Sequence, residues 1–113
     1  MSRHHFDCEY SGERLRIILG YDRPLDEYFM QIQLLTAEGS DSPLTFVYAS
    51  IADPDNRAED LEYYADKLES FGIAVPGSLF EAVWDDAIHR RGNHLVEHFA
   101  DGSTRVVLAE ALS

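Results

Sequence analysis

The sequence predicts an α+β domain, an antiparallel sheet of about six strands in the order β-β-β-β-α-α-β-β with a helical hairpin packed on one face. Three observations carry this. Apolar residues alternate with polar ones through the first third of the chain and again near its end. Between Pro54 and Arg91 the apolar spacing changes to that of two amphipathic helices. Short turn-forming clusters separate all of these stretches.

The first hairpin runs from His5 to Leu19. Phe6, Cys8 and Tyr10 alternate with His5, Asp7 and Glu9. Beyond Ser11-Gly12, Leu15, Ile17 and Leu19 alternate with Arg14, Arg16 and Ile18. A two-residue turn would pair Glu9 with Arg14 and Asp7 with Arg16 on one face, and Cys8 with Leu15 and Phe6 with Ile17 on the other. A slip of one residue would set charges against apolar side chains, so pattern and register support each other. The segment from Gly20 to Asp26 contains Pro24 and reads as a loop. A third strand is expected over Glu27 to Leu35. A fourth, apolar on both sides, is expected over Leu44 to Ile51, after a polar loop from Ala37 to Pro43.

Asp53-Pro54 is a cap followed by a first helical residue, with Asn56 and Glu59 as a competing cap. Leu61, Tyr64, Ala65 and Leu68 form the buried stripe of the first helix, and Gly72 ends it with Ile73 supplying the accompanying apolar contact. Ser78 and Glu81 make a capping-box pattern for the second helix. Its apolar stripe is Phe80, Val83, Trp84, Ala87 and Ile88, and Arg90 and Arg91 suit its negative end. A closing hairpin over His94–Ala100 and Thr104–Glu110, turning at Asp101-Gly102, would pair Phe99 with Thr104, Val96 with Val107 and Leu95 with Leu108.

At 113 residues, the chain suits a single compact domain, residues 1–113. Asp and Glu number 21 against nine Lys and Arg, a net charge of -12, and no stretch collects the basic residues that would track phosphates. Direct nucleic-acid binding is therefore not expected. With one cysteine, Cys8, no internal disulfide forms, and no apolar run approaches a membrane span of about 18 residues, so a cytoplasmic location is expected.

Sequence signatures for phosphate loops, paired-cysteine zinc sites and nucleophile elbows are absent. No catalytic residue, metal ligand or cofactor is assigned. His89, His94 and His98 lie close in sequence. On one strand, however, His94 and His98 would stand roughly 13 Å apart, too far to share an ion. His89 reads instead as a solvated helix-end residue and His98 as a cross-strand neighbour of Arg105, and His4 and His5 as terminal surface residues. Cys8 reads as a small buried hydrophobe.

The ordered charged feature is the row Asp55, Glu59, Glu62, Asp66 and Glu69, whose spacing stacks it along one face of the first helix. An acidic protein's solvated helix face would look the same. As a functional feature the row would engage another protein with a basic surface, with Tyr63 beside it as an aromatic anchor. Ile18, Phe29, Leu35 and Val47 fall on the outer side of the sheet, where a partner or a second copy would form a homodimer. The expected function is therefore that of a small acidic interaction or regulatory protein. The alternative is a small enzyme or ligand-binding domain with its site near the Tyr21–Asp26 loop or the His89–His98 region.

Overall fold

Strand pairing follows from the alternation in the first hairpin. The computed structural model describes residues 2–10, 12–35, 45–55, 60–89 and 94–108. In it β1 (Ser2–Tyr10) and β2 (Glu13–Asp22) pair antiparallel. The register sets Phe6 opposite Ile17, Asp7 opposite Arg16 and Cys8 opposite Leu15. The Arg16 Nε donates to Asp7 Oδ1 at 2.7 Å, so the outward charged pair forms as the spacing requires. β3 (Glu27–Leu35) adds to β2, and β4 (Thr45–Ala49) adds to β3 before a 3-10 turn over Ser50–Ala52. Two helices, α1 (Leu61–Phe71) and α2 (Gly77–His89), are followed by β5 (His94–His98) and β6 (Thr104–Leu108).

The fold is α+β, with one six-stranded sheet in the order β4-β3-β2-β1-β5-β6. The sheet is mixed, which corrects the all-antiparallel expectation. The chain crosses over from β4 through both helices and re-enters beside β1, so β5 lies parallel to it. The closing hairpin keeps the expected Leu95–Leu108 pair but differs in register toward the turn. His98 pairs with Thr104, Glu97 with Arg105 and Val96 with Val106, and a bulge precedes Leu95–Leu108. Phe99 and Ser103 belong to the turn, where the Phe99 N–H donates to the Ser103 carbonyl and Asp101 accepts from Ser103. Arg105 therefore reaches Glu97, at 2.8 Å, and His98 turns to the opposite face.

Period-two pairing builds continuous rows across the buried face: Ile32, Ile17, Phe6 and His98 in one, Met30, Leu19, His4 and Val96 in the next, and Tyr28, Tyr21, Ser2 and His94 in the third. Their apolar members on β1, β2 and β3, with Tyr64 and Leu68 of α1 and Leu79 and Val83 of α2, form one core. On the other face Phe29 lies over Gly20, where an added Cβ would meet the Phe29 ring and the Ser2 carbonyl. Glycine is required there by that close approach.

Both helices begin differently from the periodicity-based expectation; α1 buries the expected Tyr64 and Leu68, whereas α2 faces differently. Asp60, rather than Asp53 or Asn56, caps α1, its carboxylate accepting from the Glu62 N–H at 2.9 Å. Gly72 ends α1 in the left-handed region (φ 77°), and the Ile73 N–H reaches back to the Leu68 carbonyl at 3.0 Å. On α2 the inward residues are Leu79, Val83 and Asp86, whereas Trp84 is 59% and Ile88 55% exposed. Of the stripe expected through Phe80, Val83, Trp84, Ala87 and Ile88, Val83 is buried and Phe80 and Ala87 pack against the core, whereas Trp84 and Ile88 turn outward, so the buried face is centred further round the helix, toward Leu79 and Asp86. Ser78 lies inside the helix, where its hydroxyl bonds to a strand instead of capping.

Candidate functional site

The buried face of α2 brings a carboxylate down onto the sheet where β1 and β5 meet. Asp86 is 3% exposed, and it faces His4 of β1, 2% exposed, and His94 of β5. His4 Nε2 lies 2.5 Å and His94 Nε2 3.2 Å from the same oxygen, Asp86 Oδ2. His4 Nδ1 is 2.8 Å from His98 Nε2, and His98 Nδ1 is 3.2 Å from Ser78 Oγ. Ser2 also hydrogen-bonds Asp86 and accepts from the Tyr21 N–H. Six polar side chains from β1, α2 and β5 are therefore joined into one largely buried network, and no buried side-chain nitrogen or oxygen among the described residues lacks a partner.

The electrostatics follow from this packing. Burial alone would raise the Asp86 carboxyl. The hydrogen bonds from His4 and Ser2 and the charges of His4 and His94 outweigh it, holding the group below its ordinary range and ionised. Desolvation, and then the neighbouring His4, lower His98 to about 4, so it is neutral at physiological pH. A neutral His98 is able to point its ring proton either way. In one setting Ser78 donates to His98, His98 to a neutral His4 and His4 Nε2–H to Asp86; in the other, a His4 protonated on both nitrogens donates to Asp86 and to His98, and His98 Nδ1–H donates to Ser78.

Sequence reasoning missed this network, placing His4 at the surface and His98 beside Arg105. A signal was present for His4 and for Asp86. The alternation that turns Phe6 and Cys8 inward, continued back two residues, turns His4 and Ser2 inward too. Asp86 follows Leu79 and Val83 at helical spacing. His94 and His98 do share a strand face, but the groups that converge on His94 come from distant elements.

The acidic row is placed as follows. Glu62, Asp66 and Glu69 lie on α1 and are exposed. Asp55 precedes the helix, in a turn where its N–H donates to Asp53, and Glu59 lies outside the described residues. Tyr63 is half-buried, and its hydroxyl donates to Asp53 Oδ2 at 2.6 Å, beside the Tyr48 hydroxyl at 2.7 Å. These two hydroxyls and the Asp55 N–H hold the Asp53 carboxyl at about 2. A depressed carboxyl stabilises the fold above its unfolded value of 3.8, and that contribution is lost as the pH falls through its folded value. Urea unfolding of Asp53→Asn across a pH series is therefore expected to show a deficit against the parent at neutral pH, shrinking below 3.8 and absent below about 2.

The segment expected to be a loop from Gly20 to Asp26 is strand as far as Asp22, because β2 pairs with β3 through Asp22–Glu27, and Tyr21, Arg23 and Asp26 do not line the neighbouring cleft. Asp22 and Leu25, in and after the end of β2, line a cleft of about 520 Å³ with Tyr28, Phe29 and Ile51. Asp26 adopts a left-handed backbone (φ 53°) and accepts from the Tyr21 hydroxyl at 2.6 Å, which shapes the turn. Leu25 is 65% and Ile51 93% exposed at the cleft. Among the described residues no helix is long and apolar enough to cross a membrane. Comparison with protein-family models, curated proteins and solved structures finds no match for the chain.

Proposed function

We propose that the protein is a non-catalytic interaction domain that takes a basic, apolar-flanked segment of another protein in the cleft between the β2–β3 turn and the 3-10 turn. The observation that supports this most is the pairing of exposed Leu25 and Ile51 with a cleft whose lining carries Asp22, Glu27 and Asp53 against one basic residue, Arg3. Exposed aliphatic anchors at a concave site supply binding energy, and the carboxylates select a cationic partner. The net charge of -12 extends that selection over long range. Glu62, Asp66 and Glu69 on α1 add to this field and steer the encounter instead of forming its anchor. A cytoplasmic location, where Cys8 stays a thiol, belongs to the same reading.

An array of synthetic peptides with Lys or Arg beside Leu, Ile or Phe, probed with the whole chain, tests it. Basic apolar peptides are expected to bind, with affinity falling as salt rises, and their acidic counterparts not to. Ile51→Glu and Leu25→Glu are each expected to weaken binding by about tenfold or more. Glu62→Lys with Asp66→Lys should mainly slow association. Binding indifferent to Ile51 and Leu25, or self-association through the outer sheet face in place of peptide binding, would overturn the proposal.

A further inference from the structure

The cleft leaves the buried network unused. His4 belongs to the opposite face of β1 from Arg3, which lines the cleft. Interior ionic groups are seldom retained for stability, because removing them from water costs as much as their attraction returns, and apolar side chains of similar volume serve the core as well. Two imidazoles and a carboxylate converging on one point are, by contrast, a common donor set for a transition metal.

We infer that His4, Asp86 and His94 form a binding site for one divalent first-row transition metal ion, zinc or an ion of its class. The three donor atoms lie within 4.8 Å of one another. Tetrahedral coordination at the usual bond lengths separates such donors by roughly 3.3 Å. His94 Nε2 and Asp86 Oδ2 already stand 3.2 Å apart, and His4 Nε2, at 2.5 Å from that oxygen, needs to withdraw by less than an ångström-scale rotamer adjustment. Imidazole nitrogens favour zinc-class ions over calcium or magnesium, which take oxygen.

The surroundings supply what a ligating histidine requires. To coordinate through Nε2, His4 must carry its proton on Nδ1 and donate it to an acceptor. His98 Nε2 is that acceptor, at 2.8 Å, and His98 passes its own Nδ1 proton to Ser78 Oγ at 3.2 Å. The ion thus selects the second of the two hydrogen-bond directions open to the network, with no side chain left unpaired. Ser2 holds the carboxylate from the other side. The His94 side chain, 17% exposed, is the member of the set that meets solvent and marks the entry. Three protein ligands leave a fourth position for water.

Untagged full-length chain, stripped with a chelator, is titrated with zinc against a competing chromophoric chelator. One equivalent is expected to bind per chain and to raise the thermal midpoint progressively with zinc concentration. Cobalt in place of zinc should give the intense visible absorption of a four-coordinate site. His94→Gln is expected to lower affinity by about tenfold or more. His89→Gln, which alters the exposed His89–Asp85 pair at the end of α2, should leave it unchanged. Imidazole nitrogen resonances of His4 and His94 should shift on zinc addition to the parent, a readout that needs no variant to fold. No bound equivalent, no shift of those resonances, or affinity lost in His89→Gln and kept in His94→Gln would overturn the inference.

Discussion

Asp86→Ala is expected to lower the unfolding free energy of the metal-free chain by about 3–5 kcal/mol, as removal of one partner from a buried ion pair does. The carboxylate is 3% exposed and receives both His4 and His94. Its loss leaves two imidazoles in the interior with the partner they share gone, beside Ser2. Urea unfolding followed by circular dichroism measures the change. The informative companion is His4→Leu with Asp86→Leu, which replaces both members with apolar groups. It should recover most of the lost stability, because apolar replacement of a buried pair is often neutral or stabilising. It should also abolish zinc binding. A double variant as unstable as Asp86→Ala would mean that the network serves the fold rather than a ligand.

Leu79→Ala is expected to cost about 2–5 kcal/mol, and Trp84→Ala, on the same helix, less than about 1 kcal/mol. Leu79 has no exposed surface and packs in the central core, so truncation leaves a cavity. Trp84 keeps 59% of its surface in water and has little packing to lose. An apolar-stripe reading of α2 predicts the reverse order, so thermal or denaturant midpoints for the two variants decide which face of the helix is buried. A large loss at Trp84 with a small one at Leu79 would overturn the placement of Asp86 as well, since Leu79, Val83 and Asp86 share that face.

What was legible in the chain followed from local periodicity. The register of β1 against β2 could be read because charged and apolar residues alternate on both strands, and only one alignment matches them. The end of α1 at Gly72 could be read because a left-handed residue followed by an apolar one closes a helix in a defined way. The α2 face could not be read by the same rule. Counting apolar residues favours the arc through Trp84 and Ile88, whereas the buried arc contains an aspartate whose partners lie 82 positions earlier in the chain and on a later strand. The start of α1 could not be read because Asp53 and Asn56 both offer a cap pattern in the sequence, whereas the side chain that meets an open N–H is that of Asp60. Asp53 instead gathers the hydroxyls of Tyr48 and Tyr63, and Tyr63 is half-buried.

By itself the sequence determined the α+β class, the strands of the first hairpin and their register, and the two helices, since each depends on residues near in the chain. Tertiary structure alone decided that β5 enters parallel to β1, because strand order depends on how the crossover packs. That one placement carries His94 and His98 to the side of His4, and the turn of α2 lowers Asp86 between them. A site assembled from residues 4, 86, 94 and 98 has no spacing that a local pattern could display, because its geometry exists only once the strands are side by side.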